Sequence, residues 1–387
     1  MNPVNEPKSA SGQQSPFRIL HTEWSTGWGG QEQRILLECQ KMEERGHRML
    51  IACQPGSGIL GRARACGLRT EEVVIRGSFD PPAIAALWRI IRRERIQVVN
   101  THSGKDSWAA GFAAKLARAD LLVRSRHLSV PISNNPLNFV YSMADGFITT
   151  GEAIRETMIG NNGIDPAKII SIPTGVSLGR FNPDFTKALR LRSEFGISAD
   201  AILLTMVAVL RSMKRHDLFL RAAVELKQQF QGIRFLLVGE GPCRATIEKL
   251  IQDFGLTSDC ILAGYRDDIP DILAASDIVA LTSDRFEGVP QSLSQAMAMA
   301  RPIVAAPVGS IEELVLHERT GLIAEAGNAE SFARQIARLV ADPALRGTLG
   351  KAAREHILAS YTDDIMARRT EEFYWRLLER KRLRAAA

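Results

Sequence analysis

The chain has 387 residues, of which 45% are hydrophobic and 24% are charged, and its formal net charge is +6. These values are ordinary for a globular protein, and the length predicts two domains, each with a hydrophobic core of its own. No apolar run approaches the about 20 residues that a membrane-spanning helix needs, and the cysteines include no Cys-x-x-Cys pair. The composition therefore argues against an integral membrane protein and a disulfide scaffold, and it favours a cytoplasmic protein with reduced thiols.

The N-terminal segment, residues 1–16, is polar and proline-rich. It lacks the apolar core of a signal peptide, so we predict a disordered tail. Beyond this tail, most of the excess positive charge precedes Gly175. The asymmetry favours an anionic partner for the first half, such as a membrane surface or a phosphorylated lipid, although a mildly basic half is also common in proteins that bind neither.

Short apolar runs alternate with amphipathic helical patterns along the rest of the chain. The first set of runs is FRILHT, RMLIACQ, EEVVI, IQVVNTH, LLVRSRH, GFITTG and KIISIPTG, and the second is AILLTMVAV, IRFLLVGEG, CILAGY, DIVALTS, RPIVAAPVG and GLIAEA. Strands that alternate with helices and are apolar throughout predict parallel sheets covered on both faces. The predicted fold class is therefore α/β, with two doubly wound, Rossmann-like domains.

A region without a strand pattern separates the two sets. We predict an N-terminal domain at residues 17–176, a linker at 177–200, a C-terminal domain at 201–362 and a basic helix at 363–387. Open α/β sheets bind ligands beyond the carboxyl ends of their strands, so two facing domains should form a central cleft there. Functional residues are therefore expected in the loops that follow the strands.

In the first domain, glycines and histidines follow the strands. Gly29 and Gly30 lie between the first strand and its helix, where backbone N–H groups can approach an anion. His102 and His127 end two strands, where an imidazole can accept a proton or bind a sugar hydroxyl. A Gly-x-Gly-x-x-Gly match at 56–61 follows the second strand and leaves only about eight residues for a helix, so an NAD-binding site there is not favoured.

In the second domain, the strand-end loops carry charge and glycine. Arg211 and Lys214 lie three residues apart at a strand-to-helix turn, where they could clamp a diphosphate. Because the chain has no Asp-x-Asp or His-Glu-x-x-His pattern, we expect these cations to act in place of a metal, and we predict no cofactor. Glu287 begins a loop that can meet sugar hydroxyls, and Gln295 on the next helix can hold a diol such as ribose. The other candidate ligand-binding residues in these loops are Gly239, Gly241, Tyr265, Arg266, Gly288, Val289 and Pro290.

Several motifs together resemble the retaining glycosyltransferases of family 4. They are GGQEQRILLECQKMEERGH, IPTGVSLGRF, VAVLRSMKRHD, VGEGP and FEGVPQSLSQAMAMARPIVAAPVGSIEELVLHERTGLIAEAGNAESFARQI, and they cover nearly all of the chain after Phe17. The resemblance implies a GT-B fold, with a nucleotide-sugar donor in the C-terminal domain and an acceptor in the N-terminal domain, where His102 is the candidate residue on the acceptor side. It also implies that Glu287 and His127 contact the donor sugar, that Gly29 and Gly30 contact the diphosphate, and that the C-terminal helix crosses back to the first domain.

The chain departs from the family pattern at two positions. Gln295 stands where the Glu-x7-Glu motif has its second acid, which holds the ribose, and Val209 stands where many members carry arginine. Arg211 is expected to supply the missing phosphate contact. The implied reaction is glycosyl transfer with retained anomeric configuration by front-side displacement, in which Arg211 and Lys214 steady the leaving diphosphate.

The resemblance also implies partners. It suggests a saccharide or glycolipid acceptor in lipopolysaccharide or other surface-polysaccharide assembly, and UDP is the favoured nucleotide. No nucleic-acid partner is predicted, and the inner face of the cell membrane is a candidate location. The alternatives are a nucleotide-sugar epimerase of the same fold, an NAD-dependent oxidoreductase, and a carbohydrate- or nucleotide-binding protein without catalysis.

One helical segment, AIAALWRIIRRERIQ, bears on membrane contact. Ile84, Leu87, Trp88 and Ile91 form one stripe, and the arginines lie elsewhere. The pattern fits a helix on a membrane surface. It also fits a helix packed on its own sheet with a solvated basic side, which is the interpretation that we favour.

Overall fold

The computed structural model describes residues 15–127, 132, 139–184 and 186–386. Residues 1–14 of the predicted tail lie outside this part of the chain. The described residues form two parallel sheets, and helices pack on both faces of each. This arrangement confirms the predicted α/β class and its doubly wound domains.

The N-terminal domain is built on seven strands. They are β1 (Arg18–Glu23), β2 (Arg48–Cys53), β3 (Thr70–Glu72), β4 (Val98–Thr101), β5 (Leu121–Arg126), β6 (Gly146–Thr149) and β7 (Ile169–Ser171). The order across the sheet is β3-β2-β1-β4-β5-β6-β7. The helices between them are α1 (Gly30–Glu44), α2 (Gly58–Ala65), α3 (Pro81–Glu94), α4 (Gly104–Ala117), α5 (Val140–Met143) and α6 (Glu152–Asn162).

The C-terminal domain is built on six strands. They are β8 (Ile202–Val207), β9 (Ile233–Val238), β10 (Cys260–Leu262), β11 (Ile278–Leu281), β12 (Ile303–Ala305) and β13 (Leu322–Ile323). They are arranged in the order β10-β9-β8-β11-β12-β13. The remaining helices are α7 (Ala188–Glu194), α8 (His216–Gln229), α9 (Arg244–Asp253), α10 (Ile269–Ala275), α11 (Gln291–Ala298), α12 (Ile311–Leu314), α13 (Ala329–Ala341), α14 (Pro343–Ser360) and α15 (Asp363–Ala386).

The helix α3 packs on its own sheet, as we favoured. Leu87 and Ile91 are buried in the core that this helix shares with α4, and Arg93 pairs with Glu71 and Glu94 on its outer side. Of the predicted stripe, only Trp88 is largely exposed, at 40%. The apolar residues of α3 are therefore explained by the core of the domain.

The predicted linker has no strand among its described residues, but it contains α7. Leu191 and Ile197 are buried beside Ile272 of α10, and the Arg192 guanidinium donates to the carbonyl of Ala275 at 3.0 Å. This segment was expected to connect the domains. Because its apolar residues are buried against α10, most of it packs as part of the C-terminal domain.

The two chain crossings between the domains lie side by side. The amide of Val176 donates to the carbonyl of Tyr361 at 2.8 Å, and the amide of Asp363 donates back to Val176 at 3.1 Å. From there α15 returns along the N-terminal domain, where Tyr374 accepts a hydrogen bond from Asn100 at 3.0 Å. Within the described chain, α15 and the other helices are too short or too polar to span a bilayer.

Candidate active site

The strand-end loops of the two domains meet at one cleft. The amide of Val289 donates to the carbonyl of Thr150 at 2.9 Å, and the Gln291 side chain donates to the carbonyl of Gly30. Gly288 approaches so closely that a Cβ atom there would lie 2.4 Å from the Thr150 hydroxyl oxygen. The predicted Gly29–Gly30 and Glu287–Pro290 loops are thus brought to the same place.

Lys214 and Glu287, which the sequence suggested separately, form an ion pair. The Lys214 ammonium contacts Glu287 Oε1, and the two side chains are 18% and 8% exposed. The Lys214 carbonyl accepts a hydrogen bond from the Thr282 hydroxyl at 3.0 Å, which holds the turn. Burial, with a smaller effect of Lys214, lowers the pKa of the neighbouring His216 to about 4. Because water is partly excluded here, the attraction between the two charges is stronger than it would be in bulk water.

Gly309 supports the backbone under Glu287. Its φ is +60°, and a Cβ atom there would lie 2.0 Å from the Glu287 carbonyl oxygen. Phe286 also has a left-handed φ, of +61°. Only glycine can occupy position 309 without displacing the loop, so this residue positions the Glu287 carboxylate, although the sequence motif gave no sign of it.

Arg211 remains available to an external anion. It is exposed, and within the described part of the chain it makes no ion pair. By contrast, Arg215 on the same turn pairs with Asp217 and Asp284, which raise its pKa. Arg211 is therefore the cation of this turn that makes no ion pair within the described residues and could contact a phosphate directly, whereas Lys214 would contact one from its pair with Glu287.

The backbone geometry after β9 explains why two positions there are glycine. Gly239 and Gly241 have φ values of +144° and +159°, and Cβ atoms there would lie 2.0 Å and 2.5 Å from the carbonyl oxygens of Ala208 and Leu210. These glycines allow the loops after β8 and β9 to pack against each other. A donor-binding role for them stays a prediction.

Tyr265 and Arg266 have different surroundings. Tyr265 is 46% exposed, and its hydroxyl lies 3.1 Å from the guanidinium of Arg62, a residue of α2 in the other domain. Arg266 is held by Asp268 and Glu194, so its guanidinium is already neutralised. Of the two, Tyr265 is better placed to meet a ligand between the domains, and Arg62 is a cleft residue that the sequence did not suggest.

Two further predicted residues lie on or beside α11. Gln295 is half-buried on this helix, and Pro290 immediately precedes it. The Gln295 amide makes no hydrogen bond to any other described residue, so it can reach a ligand diol. The structure does not test the proposed contact with ribose.

Three imidazoles form a hydrogen-bonded chain in the N-terminal domain. His21 Nδ1 lies 2.8 Å from His102 Nε2, and His102 Nδ1 lies 2.9 Å from His127 Nε2. Burial lowers the pKa of all three. The sequence had nominated His102 and His127 because they end strands. It did not suggest His21, which lies inside β1. A histidine within an apolar strand was the feature that could have identified this residue.

Two buried carboxyl groups lie at the end of β1 and the start of α4. Burial, together with the nearby Asp106, raises the pKa of Glu23 to about 8. Glu23 accepts a hydrogen bond from the amide of Ser25 at 2.7 Å and another from the side chain of Gln31. Burial also raises the pKa of Asp106. The sequence did not suggest either acid, although Glu23 could have been identified as a glutamate at the end of a buried strand.

Among the residues that the structure describes, no three or more His, Cys, Asp or Glu side chains are grouped in a way that could hold a metal ion. Independence from metal stays a prediction.

Two family models match the chain, one in each domain. The model for Glycosyltransferase Family 4 matches residues 28–180, and the model for Glycosyl transferases group 1 matches residues 189–356. Together they cover every strand of the two sheets except β1. The predicted family is therefore confirmed from both halves of the chain.

Individual proteins agree with the family models. The chain is 27% identical to the UDP-Gal:alpha-D-GlcNAc-diphosphoundecaprenol alpha-1,3-galactosyltransferase of Escherichia coli, over 73% of this chain and 76% of that protein. It is 28% identical to the N-acetyl-alpha-D-glucosaminyl L-malate synthase of Bacillus anthracis, over 77% of this chain and 73% of that protein.

A solved structure supports the fold. The Anabaena protein HepE, in complex with UDP and glucose, superposes with a TM-score of 0.82 at 20% identity and covers 92% of this chain and 98% of its own. At this identity the likeness concerns the fold alone. Taken with the family models and the geometry of the cleft, it leads to one conclusion: the chain belongs to the family 4 glycosyltransferases and has the GT-B fold.

Proposed function

We propose that this glycosyltransferase transfers a sugar from a UDP-sugar to a saccharide or glycolipid acceptor in lipopolysaccharide or other surface-polysaccharide assembly, with retention and without a metal ion. The ion pair of Lys214 and Glu287 in the cleft, beside the exposed Arg211, is the observation that carries the proposal. UDP is favoured because the name of the Escherichia coli relative includes UDP-Gal and the Anabaena structure contains UDP.

In this mechanism, Lys214 and Arg211 offset the negative charge that develops on the leaving diphosphate. Glu287 accepts hydrogen bonds from the donor sugar and fixes its ring. The acceptor oxygen forms its bond to the anomeric carbon on the face from which the diphosphate leaves. The bond from the anomeric carbon to the diphosphate breaks, and the acceptor proton passes to a diphosphate oxygen. Because bond formation and bond breaking occur on the same face, the configuration is retained without a protein nucleophile.

The proposal is tested by thermal unfolding with UDP, GDP, ADP, their sugar conjugates and NAD⁺, each in the presence of EDTA. A ligand at 100 times its Kd should stabilise the folded protein by about 2.7 kcal/mol, a rise of a few degrees in Tm. We expect UDP and one UDP-sugar to give this shift. Stabilisation by NAD⁺ alone would instead support the oxidoreductase alternative.

Product analysis separates the transferase from an epimerase of the same fold. With the stabilising UDP-sugar and a saccharide acceptor, NMR spectroscopy should show a new glycosidic bond with the anomeric configuration of the donor. An epimerised sugar formed without any acceptor would contradict the transferase, and an inverted product would contradict the front-side mechanism.

We further propose that the protein approaches an anionic membrane through the outer side of α4, not through α3. Trp108, Phe112 and Leu116 recur at four-residue spacing on α4, and Leu116 is 67% exposed. Phe79 is also 67% exposed, and its ring centroid lies 5.3 Å from that of Trp108. Exposed apolar side chains along one side are typical of helices that lie on bilayers. Lys115 lies beside them and is paired with Asp145 at 3.8 Å.

Vesicle binding distinguishes the two helices. The double variant Trp108→Ser and Leu116→Ser should weaken sedimentation with phosphatidylglycerol vesicles several-fold. The matched variant Arg92→Glu and Arg93→Glu on α3 should change it much less. If the α3 variant binds more weakly than the α4 variant, the membrane contact lies on α3. If the wild type and both variants bind equally, neither helix contacts the membrane.

A further inference from the structure

The three-histidine chain ends at a buried glutamate. His21 Nε2 lies 3.7 Å from Glu38 Oε1, and Arg34 Nε lies 3.3 Å from Glu38 Oε2. The side chains of His21, Glu38 and Arg34 are fully buried. At the opposite end, His127 is only half-buried. The chain therefore runs from the interior of the N-terminal domain to the loop after β5.

The outer end of the chain lies at the cleft. The carbonyl of His127 accepts a hydrogen bond from the Thr150 hydroxyl at 3.2 Å. The Thr150 carbonyl in turn accepts a hydrogen bond from the amide of Val289 in the C-terminal domain. His127 is thus next to the contact between the two domains. Its Nε2 atom is occupied by His102, which leaves Nδ1 as the ring nitrogen outside the chain.

A chain of neutral imidazoles has only two possible directions. Each neutral ring carries one N–H and one lone pair, and each hydrogen bond needs one of each. If His102 donates from Nε2, then His21 carries its proton on Nε2 and His127 donates from Nε2. If His102 donates from Nδ1, then His127 carries its proton on Nδ1 and His21 turns a bare lone pair toward Glu38.

The carboxylate at the inner end selects between these directions. Glu38 is paired with Arg34, so it faces His21 as an anion. An anion attracts the N–H of His21 Nε2 and repels a lone pair at the same place, and burial strengthens both effects. The first direction is therefore the stable one, with every N–H pointing away from the cleft.

We propose that Glu38 is a positioning residue that, through His21 and His102, holds His127 with its proton on Nε2 and presents Nδ1 to the cleft as a hydrogen-bond acceptor. The natural donor to this atom is a sugar hydroxyl, and this part rests on the proposed function. Glu38 itself touches neither donor nor acceptor. It acts by fixing a tautomer, as outer residues do when they orient a histidine.

The test reads the tautomer directly from nitrogen chemical shifts of protein labelled with ¹⁵N-histidine at neutral pH. His127 is assigned by the loss of its signals in His127→Gln. The wild type should show His127 protonated on Nε2. In Glu38→Gln, which can present either an N–H or an oxygen to His21, a substantial share should move to Nδ1–H. The exposed Glu44→Gln on the same helix is the matched control and should leave the tautomer unchanged.

A wild-type His127 protonated on Nδ1 would overturn the inference, and so would an unchanged tautomer in Glu38→Gln. The first of these results does not depend on Glu38→Gln, so it stands even if that variant fails to fold. We also expect Glu38→Gln to lower kcat/KM for sugar transfer by about 10-fold or more. If the tautomer moves but transfer does not slow, the positioning by Glu38 is upheld and the role of His127 in the proposed function is contradicted.

Discussion

The N-terminal and C-terminal walls of the cleft differ in the charge state of their side chains. On the N-terminal side, burial keeps His21, His102 and His127 neutral by lowering their pKa values, and it raises the pKa of Glu23 to about 8. On the C-terminal side, Lys214 and Glu287 form a charged pair at the surface of the cleft. One wall offers neutral hydrogen-bonding groups, and the other offers fixed charges.

This difference matches the two substrates of the proposed reaction. A nucleotide-sugar carries a diphosphate whose negative charge grows as it leaves, and charged groups stabilise such a change best. An acceptor brings a hydroxyl group, as does the donor sugar that is expected beside His127, and a neutral imidazole can bind a hydroxyl without the cost of desolvating an ion. The comparison therefore predicts that changes on the C-terminal wall affect turnover most, whereas changes on the N-terminal wall affect pH dependence.

The largest effect is expected from Lys214→Ala. Loss of the ammonium removes a charge that stabilises the leaving diphosphate, so kcat should fall about 100- to 1,000-fold. Steady-state kinetics with the stabilising UDP-sugar measure it. The control is Lys227→Ala, which removes another lysine paired with an acid, Asp259, away from the cleft. Full turnover by Lys214→Ala would break the assignment of this wall to the donor.

A smaller effect is expected from Gly309→Ala. The new Cβ atom would press on the Glu287 carbonyl, and the left-handed φ would be strained, so the free energy of unfolding should fall by about 1–3 kcal/mol. Glu287 should also shift and slow turnover. Gly347→Ala is the control, because it lies in α14 with no atom near its Cβ position and should stabilise slightly. Equal Tm values for the two variants would contradict the proposed support of Glu287.

The smallest effect concerns the N-terminal wall and pH. The pKa of Glu23 is raised in the folded protein, so the unfolded chain loses this proton near pH 4.5 while the folded protein keeps it to about pH 8. Stability should therefore fall as pH rises through this window. Glu23→Gln should reduce that fall by about 2 kcal/mol between pH 6 and 8, measured by urea unfolding. The exposed Glu156→Gln should keep the wild-type slope, and an unchanged slope in Glu23→Gln would mean that Glu23 is already ionised.

Much of the fold was predictable because its signals are local. Apolar runs between helical patterns predicted every strand except β3 (Thr70–Glu72), which overlaps the run EEVVI only at its two glutamates. The loops after the strands contained Lys214, Glu287 and His127. The helix α7 was missed because the segment is rich in glycine, proline and polar residues, which indicate a loop, whereas burial of Leu191 against α10 stabilises a helix. For α7, tertiary packing therefore outweighed the low local propensity for helix.

The sequence by itself determined the two α/β domains, the order of their motifs and the family. Only the tertiary structure decided which of those residues meet. Lys214 and Glu287 come from loops after different strands, and the chain from Glu38 to His127 joins a helix to three strands. Such contacts depend on strand order and register, which arise from packing of the whole sheet, so local periodicity carries no record of them.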